Sequence, residues 1–503
     1  MFNVKFDVYI NTKMLLLGID LGTSSIKVSI VDADTQQCIA SAQYPEEETT
    51  ITSLQTGWAE QSPETWWQNI KEAIIKVNAT GKFDPQDIAA IGIAYQMHGL
   101  VLVDKQQKVL RDSIIWCDSR AVETGNAAFK KIGEQRSLSV LLNSPGNFTA
   151  SKLAWVKENE PGIFESSYKM MLPGDFAAMK LTGEIATTSS ALSEGIFWDF
   201  KEDELSKDVM SCFGFDKKII PEIKPLFSSH GSLSAKVAKE LSLKPGIPIS
   251  YKAGDQLNNA LSLNVFHPGE VAATAGTSGV IYAVADNLFF DKLSRVNAFA
   301  HVNHNKNERR IGVLLCINGT GIMNRWIKDL SATNYNEMNK QASQINPGSG
   351  GLFVLPFGNG AERIFENKIV GAHLLNIDLN KHSKAHVFRA TQEGIVFSFR
   401  FGLDIMRENG VLPSVIRVGR ANMFLSDLFA EAFVDATNVP VELYENDGSV
   451  GAALGAGIGA GIFTSPKEAF SNLKQIKRIN PSSNVRLYDE LYGRWKQELI
   501  KFL

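Results

Sequence analysis

The apolar positions of the chain fall into two recurring patterns. Leu15-Leu16-Leu17-Gly18-Ile19-Asp20 reads as a buried strand and Ile26-Lys27-Val28-Ser29-Ile30-Val31-Asp32 as an alternating one, joined by the turn Gly22-Thr23-Ser24-Ser25. Further strand-like runs at 88–94, 100–103 and 247–253 alternate with helical spacing over 63–77 and 151–159. A helix over 390–408, a strand over 415–418 and a helix over 425–437 continue the series. Strands interleaved with helices predict an α/β fold. Regular patterning begins at Met14, so residues 1–13 read as an upstream start or a flexible extension.

The opening hairpin returns in the second half. Val271-Ala272-Ala273-Thr274-Ala275 leads through Gly276-Thr277-Ser278-Gly279 into Val280-Ile281-Tyr282-Ala283-Val284-Ala285-Asp286. One offset of 254 residues carries Thr23 onto Thr277 and Asp32 onto Asp286, so the two hairpins are expected to superpose without a gap. The duplication implies two equivalent α/β domains around a central cleft, 14–266 and 267–503, with the boundary in the turn residues Asn264 to Gly269. The stretch from Gly448 to Gly461 is short for a membrane span, and its small residues suit a helix pressed close against backbone.

Composition narrows the classes. With 44% hydrophobic and 21% charged residues, the chain has ample material for large cores. Its 51 basic and 54 acidic residues nearly balance, which removes the global electrostatic case for a nucleic-acid or membrane-surface partner. Cys38, Cys117, Cys212 and Cys316 lie far apart and suit a reduced compartment. No apolar run approaches 18 residues and no leader pattern opens the chain, so a cytoplasmic location is expected.

A Gly-Thr-Ser turn brings backbone N–H groups and hydroxyls close to an anion, although turn chemistry alone also favours these residues. Two copies, Thr23-Ser24 and Gly276-Thr277-Ser278, could grip a polyphosphate from both sides. Asp20 stands where the second hairpin has Thr274, and a nucleotide-borne Mg2+ needs only one or two carboxylates, which makes Asp20 the metal-side candidate. Asp255 follows a strand and Gly254 at the start of a helix, a place where ligands gather in α/β sheets and also a favoured N-cap position. In phosphoryl transfer a carboxylate there could orient a hydroxyl and take its proton late. Gln96, Met97 and His98, before Gly99, could read sugar hydroxyls, with His98 equally an ordinary turn residue. Trp116 and Asp118 could add an apolar face and a polar contact, core packing explaining Trp116 as well. Motifs of the HExxH, CxxC, GxxxxGK[ST] and GxSxG kinds do not occur.

Taken in order, these blocks resemble the FGGY family of carbohydrate kinases. The marks are Gly18-Ile19-Asp20-Leu21-Gly22-Thr23-Ser24, Gln96-Met97-His98-Gly99, Trp116-Cys117-Asp118-Ser119-Arg120, residues 148–156, Gly254-Asp255 and Gly276-Thr277-Ser278-Gly279. The resemblance runs from about residue 14 to the C-terminus. It implies two ribonuclease-H-like domains of the actin and hexokinase type. It also implies ATP- and Mg2+-dependent phosphorylation of D-xylulose at its terminal hydroxyl, with a possible homodimer. On it, Asp255 matches the catalytic base, Asp20 the acidic residue near Mg2+, and Met97 and His98 sugar-binding positions. Gln256 stands where the family usually has Asn, and the adenosine motif is altered to Val418-Gly419-Arg420-Ala421-Asn422-Met423-Phe424, leaving Gly419 and Asn422 as its nucleotide positions. The alternatives are an FGGY kinase for another ketose, polyol or sugar acid, and a non-catalytic actin-like sugar or nucleotide sensor.

Overall fold

The computed structural model describes residues 13–288 and 290–503; the expected extension lies, but for Lys13, outside the described residues. Twelve strands form its two large sheets. The first sheet contains β1 (Leu15–Leu21), β2 (Ile26–Asp32), β3 (Cys38–Tyr44), β4 (Ile88–Tyr95) and β5 (Ile249–Gly254), in the order β5-β4-β1-β2-β3. The second contains β6 (Glu270–Ala275), β7 (Gly279–Ala285), β8 (Asn297–Ala300), β9 (Ile311–Ile317), β10 (Val415–Gly419), β11 (Val441–Tyr444) and β12 (Gln475–Ile479), in the order β8-β9-β7-β6-β10-β11-β12.

The duplication is topological as well as local. In each sheet an antiparallel meander of three strands is extended by two parallel ones: β1-β2-β3 with β4 and β5, then β6-β7-β9 with β10 and β11. Strands β8 and β12 are additions at the edges of the second sheet. The common five-strand order is the ribonuclease-H-like one expected from the sequence. Parallel strands need crossovers, so β4 and β5 are buried along nearly their whole length, β4 being apolar on both faces and β5 carrying the buried Ser250 and Lys252 on one.

The gapless superposition fails by one residue. Four residues separate the paired Leu21 and Ile26, but only three separate Ala275 and Gly279. Asp20 therefore faces Lys27 across its ladder, whereas Thr274 faces Val280. The tighter turn puts Gly279 in the ladder, where a Cβ would meet Phe399 Cζ at 2.6 Å and Thr320 Cγ2 at 2.8 Å. The long helix Lys384–Glu408 also starts earlier than apolar periodicity alone indicated, because Ser383 and His386 close a reciprocal cap at its start.

Helix Gly448–Gly459 belongs to the second half in sequence but packs on the first sheet. A Cβ on Gly18 of β1 would lie 1.8 Å from the Ser449 carbonyl oxygen, and one on Gly92 of β4 1.9 Å from that of Ala452. Glycine on the sheet, not only in the helix, is what lets the two backbones touch. The Ser29 and Ser449 hydroxyls meet at 2.8 Å, and Ser250 Oγ donates to the Ala456 carbonyl at 2.8 Å. Gly92→Ala is expected to lower Tm by roughly 3–10 °C through overpacking against the helix backbone. A thermal melt indistinguishable from wild type would show that this contact yields freely.

Candidate active site

Asp255 opens helix Asp255–Ser262 directly at the end of β5, so the strand fixes its backbone and the helix N-terminus faces its carboxylate. Burial raises its pKa to about 7 and the Asp20 carboxylate adds to the rise, outweighing the Gln256 backbone and side-chain hydrogen bonds that lower it. Gln256 thus touches Asp255 itself, whatever it does toward a ligand.

Asp20 sits near the end of β1, with its carboxylate against the start of helix Gly448–Gly459; a Cβ on Gly448 would lie 2.3 Å from Asp20 Oδ2. Burial, then repulsion from Asp447, pushes its pKa up to about 6, against the attraction of Lys27. Lys27 is ion-paired with Asp447, which also caps the helix by accepting from the Ser449 N–H at 2.9 Å. The Asp20 carboxylate makes no hydrogen bond or ion pair among the described residues. A partly buried, repelled and unpartnered carboxylate is a fitting partner for a cation.

The first turn is held by a polar ring. Trp116 Nε1 donates to Thr23 Oγ1 at 3.0 Å, Thr23 Oγ1 donates to Gln96 Oε1 at 3.2 Å, and Gln96 Nε2 donates to Gln61 Oε1 at 3.2 Å. Gln61 Nε2 returns to the Thr23 carbonyl at 2.9 Å. The backbone N–H groups of Thr23 and Ser24 have no partner among the described residues, and Ser24 is exposed. Core packing is not the explanation of Trp116, which is 54% exposed and anchored only through its ring N–H. Asp118 is not free for a ligand: it accepts from the Ala59 N–H and from Arg120.

His98 follows with a positive φ of 62°, a conformation His tolerates better than most residues. Its Nδ1 lies 3.0 Å from the Glu194 carbonyl oxygen, which can only accept, so Nδ1 carries the proton and Nε2 is left bare. Burial, reinforced by nearby Lys152, lowers its pKa to about 3 and keeps the ring neutral. Met97 is buried against Gly254, immediately before Asp255.

On the opposite side, Gly276, Thr277 and Asn422 line a cavity of about 470 Å3 together with Asn324, Tyr335 and Asn339. The Gly276 and Thr277 carbonyls accept from the Gly321 and Ile322 N–H groups, while the N–H groups of Thr277 and Ser278 have no partner among the described residues. Asn422, at φ 53°, turns toward Gly276, whereas Gly419 lies outside this cavity beside Asn446. Asn446 donates to Asn259 Oδ1 at 3.0 Å and Asn258 donates to the Gly448 carbonyl at 2.8 Å, so helix 255–262 links both sides.

Glu194 and Lys152 were not singled out from sequence. Both are fully buried, and Lys152 donates to the His98 and Ile115 carbonyls at 2.8 and 2.9 Å. Lys152 lies inside the 148–156 block that marked the resemblance, the one signal that could have found it. Nothing local marks Glu194.

The duplicated ribonuclease-H-like sheets are those of the actin- and hexokinase-type class of ATPase folds. Within that class the chain belongs to the FGGY family of carbohydrate kinases: the family's N-terminal domain matches residues 15–262 and its C-terminal domain residues 271–461. It is 29% identical over 495 residues to the xylulose kinase of Bacillus subtilis, covering 96% of each chain. It is 28% identical over 461 residues to that of Escherichia coli, covering 91% of this chain and 92% of the other. The crystal structure of xylulose kinase from Rhodospirillum rubrum shares the fold, with a TM-score of 0.86 at 23% identity over 97% and 98% of the two chains. Among the described residues, no helix is long and apolar enough to cross a membrane.

A carboxyl whose pKa is raised on folding weakens the fold as pH climbs from its unfolded value of about 4 to its folded one, after which the loss is constant. Asp255→Asn is therefore expected to raise Tm by roughly 2–4 °C at pH 8 and by less at pH 5. Equal gains at both pH values would contradict the raised pKa.

Proposed function

We propose that the chain transfers the γ-phosphoryl group of ATP to the terminal hydroxyl of D-xylulose, giving D-xylulose 5-phosphate and ADP. The observation that carries the reading is Asp255: a carboxylate at the end of a buried strand, shifted into the range of a neutral-pH base, with Asp20 beside it. Asp255 orients the attacking hydroxyl and accepts its proton as the O–P bond forms; a loose transition state asks little more of a base. The free amides of Thr23, Ser24, Thr277 and Ser278 hold the phosphates, and alignment between the two turns supplies much of the rate.

Mg2+ bound to the nucleotide would offset phosphate charge, and Asp20 is the residue that fits it. Among the described residues no cluster of three or more His, Cys, Asp or Glu side chains could hold a metal, which favours an ion carried in by the nucleotide. The cavity beside Gly276 suits the adenosine: Tyr335 offers a flat apolar face, and Asn324, Asn339 and Asn422 offer donors and acceptors. We assign the hinge between domains 14–266 and 267–503 to residues 264–270, so that closure would exclude water, a competing acceptor.

D-xylulose is favoured over other sugars by the Gln96-Met97-His98-Gly99 block and by the relatives named xylulose kinase. Bare Nε2 of His98 suits it to accept from a sugar hydroxyl. A coupled ADP-release assay across D-xylulose, D-ribulose, L-ribulose, gluconate and glycerol is expected to give the highest kcat/KM with D-xylulose. A clear preference for glycerol or gluconate would overturn the substrate.

Asp255→Ala is expected to lower kcat by about 10²–10⁴-fold while ATP affinity stays within a few-fold. Wild-type kcat/KM is expected to fall about tenfold per pH unit below pH 7, because only ionised Asp255 accepts the proton. Turnover unchanged in Asp255→Ala, or a flat profile between pH 5.5 and 7, would remove Asp255 from this role.

A further inference from the structure

Behind His98 lies an acid that the reaction above does not use. Glu194 ends the short helix Ser189–Glu194 and is 0% exposed. Its Oε1 accepts from the His98 N–H at 3.4 Å, its carbonyl accepts from His98 Nδ1 at 3.0 Å, and its Oε2 has no hydrogen-bond partner. The same Oε2 is pressed against Gly254, where a Cβ would stand 2.5 Å from it and 2.6 Å from Met97 Cγ. One side chain thus touches the residue before Asp255 and the turn that carries the sugar-reading residues.

We propose that Glu194 is a positioning residue of the sugar site, an uncharged carboxylic acid that fixes the His98 main chain and ring so that bare Nε2 faces the substrate, and that sets the spacing between this turn and Asp255. The proposal rests on the sugar-kinase reading of the cleft and deepens it.

Two lines of argument support the uncharged form. A buried carboxylate with one weak N–H donor and no cation in contact is costly to ionise, whereas a carboxylic acid is not. No cation faces it to offset a negative charge: its neighbours are Asp255 from helix 255–262, Asp175 from helix Pro173–Thr182, Tyr95 from β4, neutral His98, and Tyr282 from β7. Burial foremost, then Asp255 and Asp175, raise its pKa well above the ordinary range, with His98 N–H and Tyr95 only partly opposing. Lys152 is spent on the His98 and Ile115 carbonyls, and Lys252 on Asp175 and the Ala186 carbonyl. A neutral Glu194 adds no repulsion to the Asp255 carboxylate that it faces.

The position of Glu194 is set from the other domain. Ser190 Oγ of the same helix donates to the Ala300 carbonyl of β8 at 2.9 Å, and the Ala300 N–H donates to Ser193 Oγ at 2.9 Å. Phe299, the residue before Ala300 on the same strand, packs against the His98 ring with centroids 5.5 Å apart. The strut therefore joins an edge strand of the second sheet to the sugar-reading turn of the first.

Three readouts test this, on the full chain. Glu194→Gln keeps an acceptor at Oε1 and a neutral donor in place of the acid proton; it is expected to hold kcat/KM for D-xylulose within about threefold and leave the acid limb near pH 7. Glu194→Ala is expected to raise the sugar KM at least tenfold while the ATP KM stays within about twofold. In ligand-free wild type, 15N spectra of the His98 ring are expected to show the Nδ1–H tautomer alone, a readout independent of which sugar is the substrate. A Gln variant as impaired as the Ala variant, or an acid limb moved down by more than half a pH unit in it, would show Glu194 to be ionised and overturn the proposal. So would an Nε2–H tautomer in wild type. Failure of D-xylulose in the panel, with the tautomer as expected, would count against the substrate and in favour of the strut.

Discussion

The site depends on one close approach: the backbone of helix Gly448–Gly459 lying directly on Gly18 and Gly92 of the first sheet. No side chain intervenes, so the helix start is fixed to within a van der Waals contact of β1, where Asp20 sits. The helix comes from the second half of the chain and follows β11, the strand beside β10, whose end leads to Asn422. Its packing therefore ties the sheet that bears Asp20 and Asp255 to the half that forms the nucleotide-sized cavity. A helix held by side-chain packing alone would leave this relation free to drift by an ångström or more, enough to spoil an in-line transfer.

The carboxylates show what that rigidity permits. Asp20 and Asp255 are both buried enough to hold protons more tightly than ordinary carboxyls, with Asp447 adding to the rise at Asp20 and Asp20 adding to that at Asp255. Such a site is unfavourable for the fold and is retained where function needs it. Asp447, paired with Lys27, keeps its charge and stays on the helix cap; Asp20, left unpaired, is the group that a cation would relieve. The difference between these neighbouring acids lies in the Lys27 ion pair and the Ser449 hydrogen bonds that Asp447 has and Asp20 lacks.

Much of this was legible from the chain. The repeated hairpin announced the duplicated domains, and Gly254-Asp255 announced a carboxylate at the junction of a buried strand and a helix, because both signals are local: turn residues and strand termini lie within a few positions of each other. The one-residue difference between the hairpins was not, since the register of a ladder is set by turn geometry and packing against Phe399 and Thr320. Glu194 and the Lys27–Asp447 pair were illegible for a different reason. Glu194 meets a partner 96 positions away and Lys27 one 420 positions away, and only the folded topology brings them together. Trp116, for which pattern alone left an apolar face and core packing equally open, lies at the surface with its ring N–H bonded to Thr23.

The most direct measurement is a crystal structure of the full chain with a non-hydrolysable ATP analogue, Mg2+ and D-xylulose. The expected result has phosphate oxygens within hydrogen-bond distance of backbone N–H groups from both the Thr23-Ser24 and the Thr277-Ser278 turns. It also has the terminal sugar hydroxyl between the γ-phosphate and Asp255. Phosphates held by one turn alone, or a sugar hydroxyl out of reach of Asp255, would contradict the account.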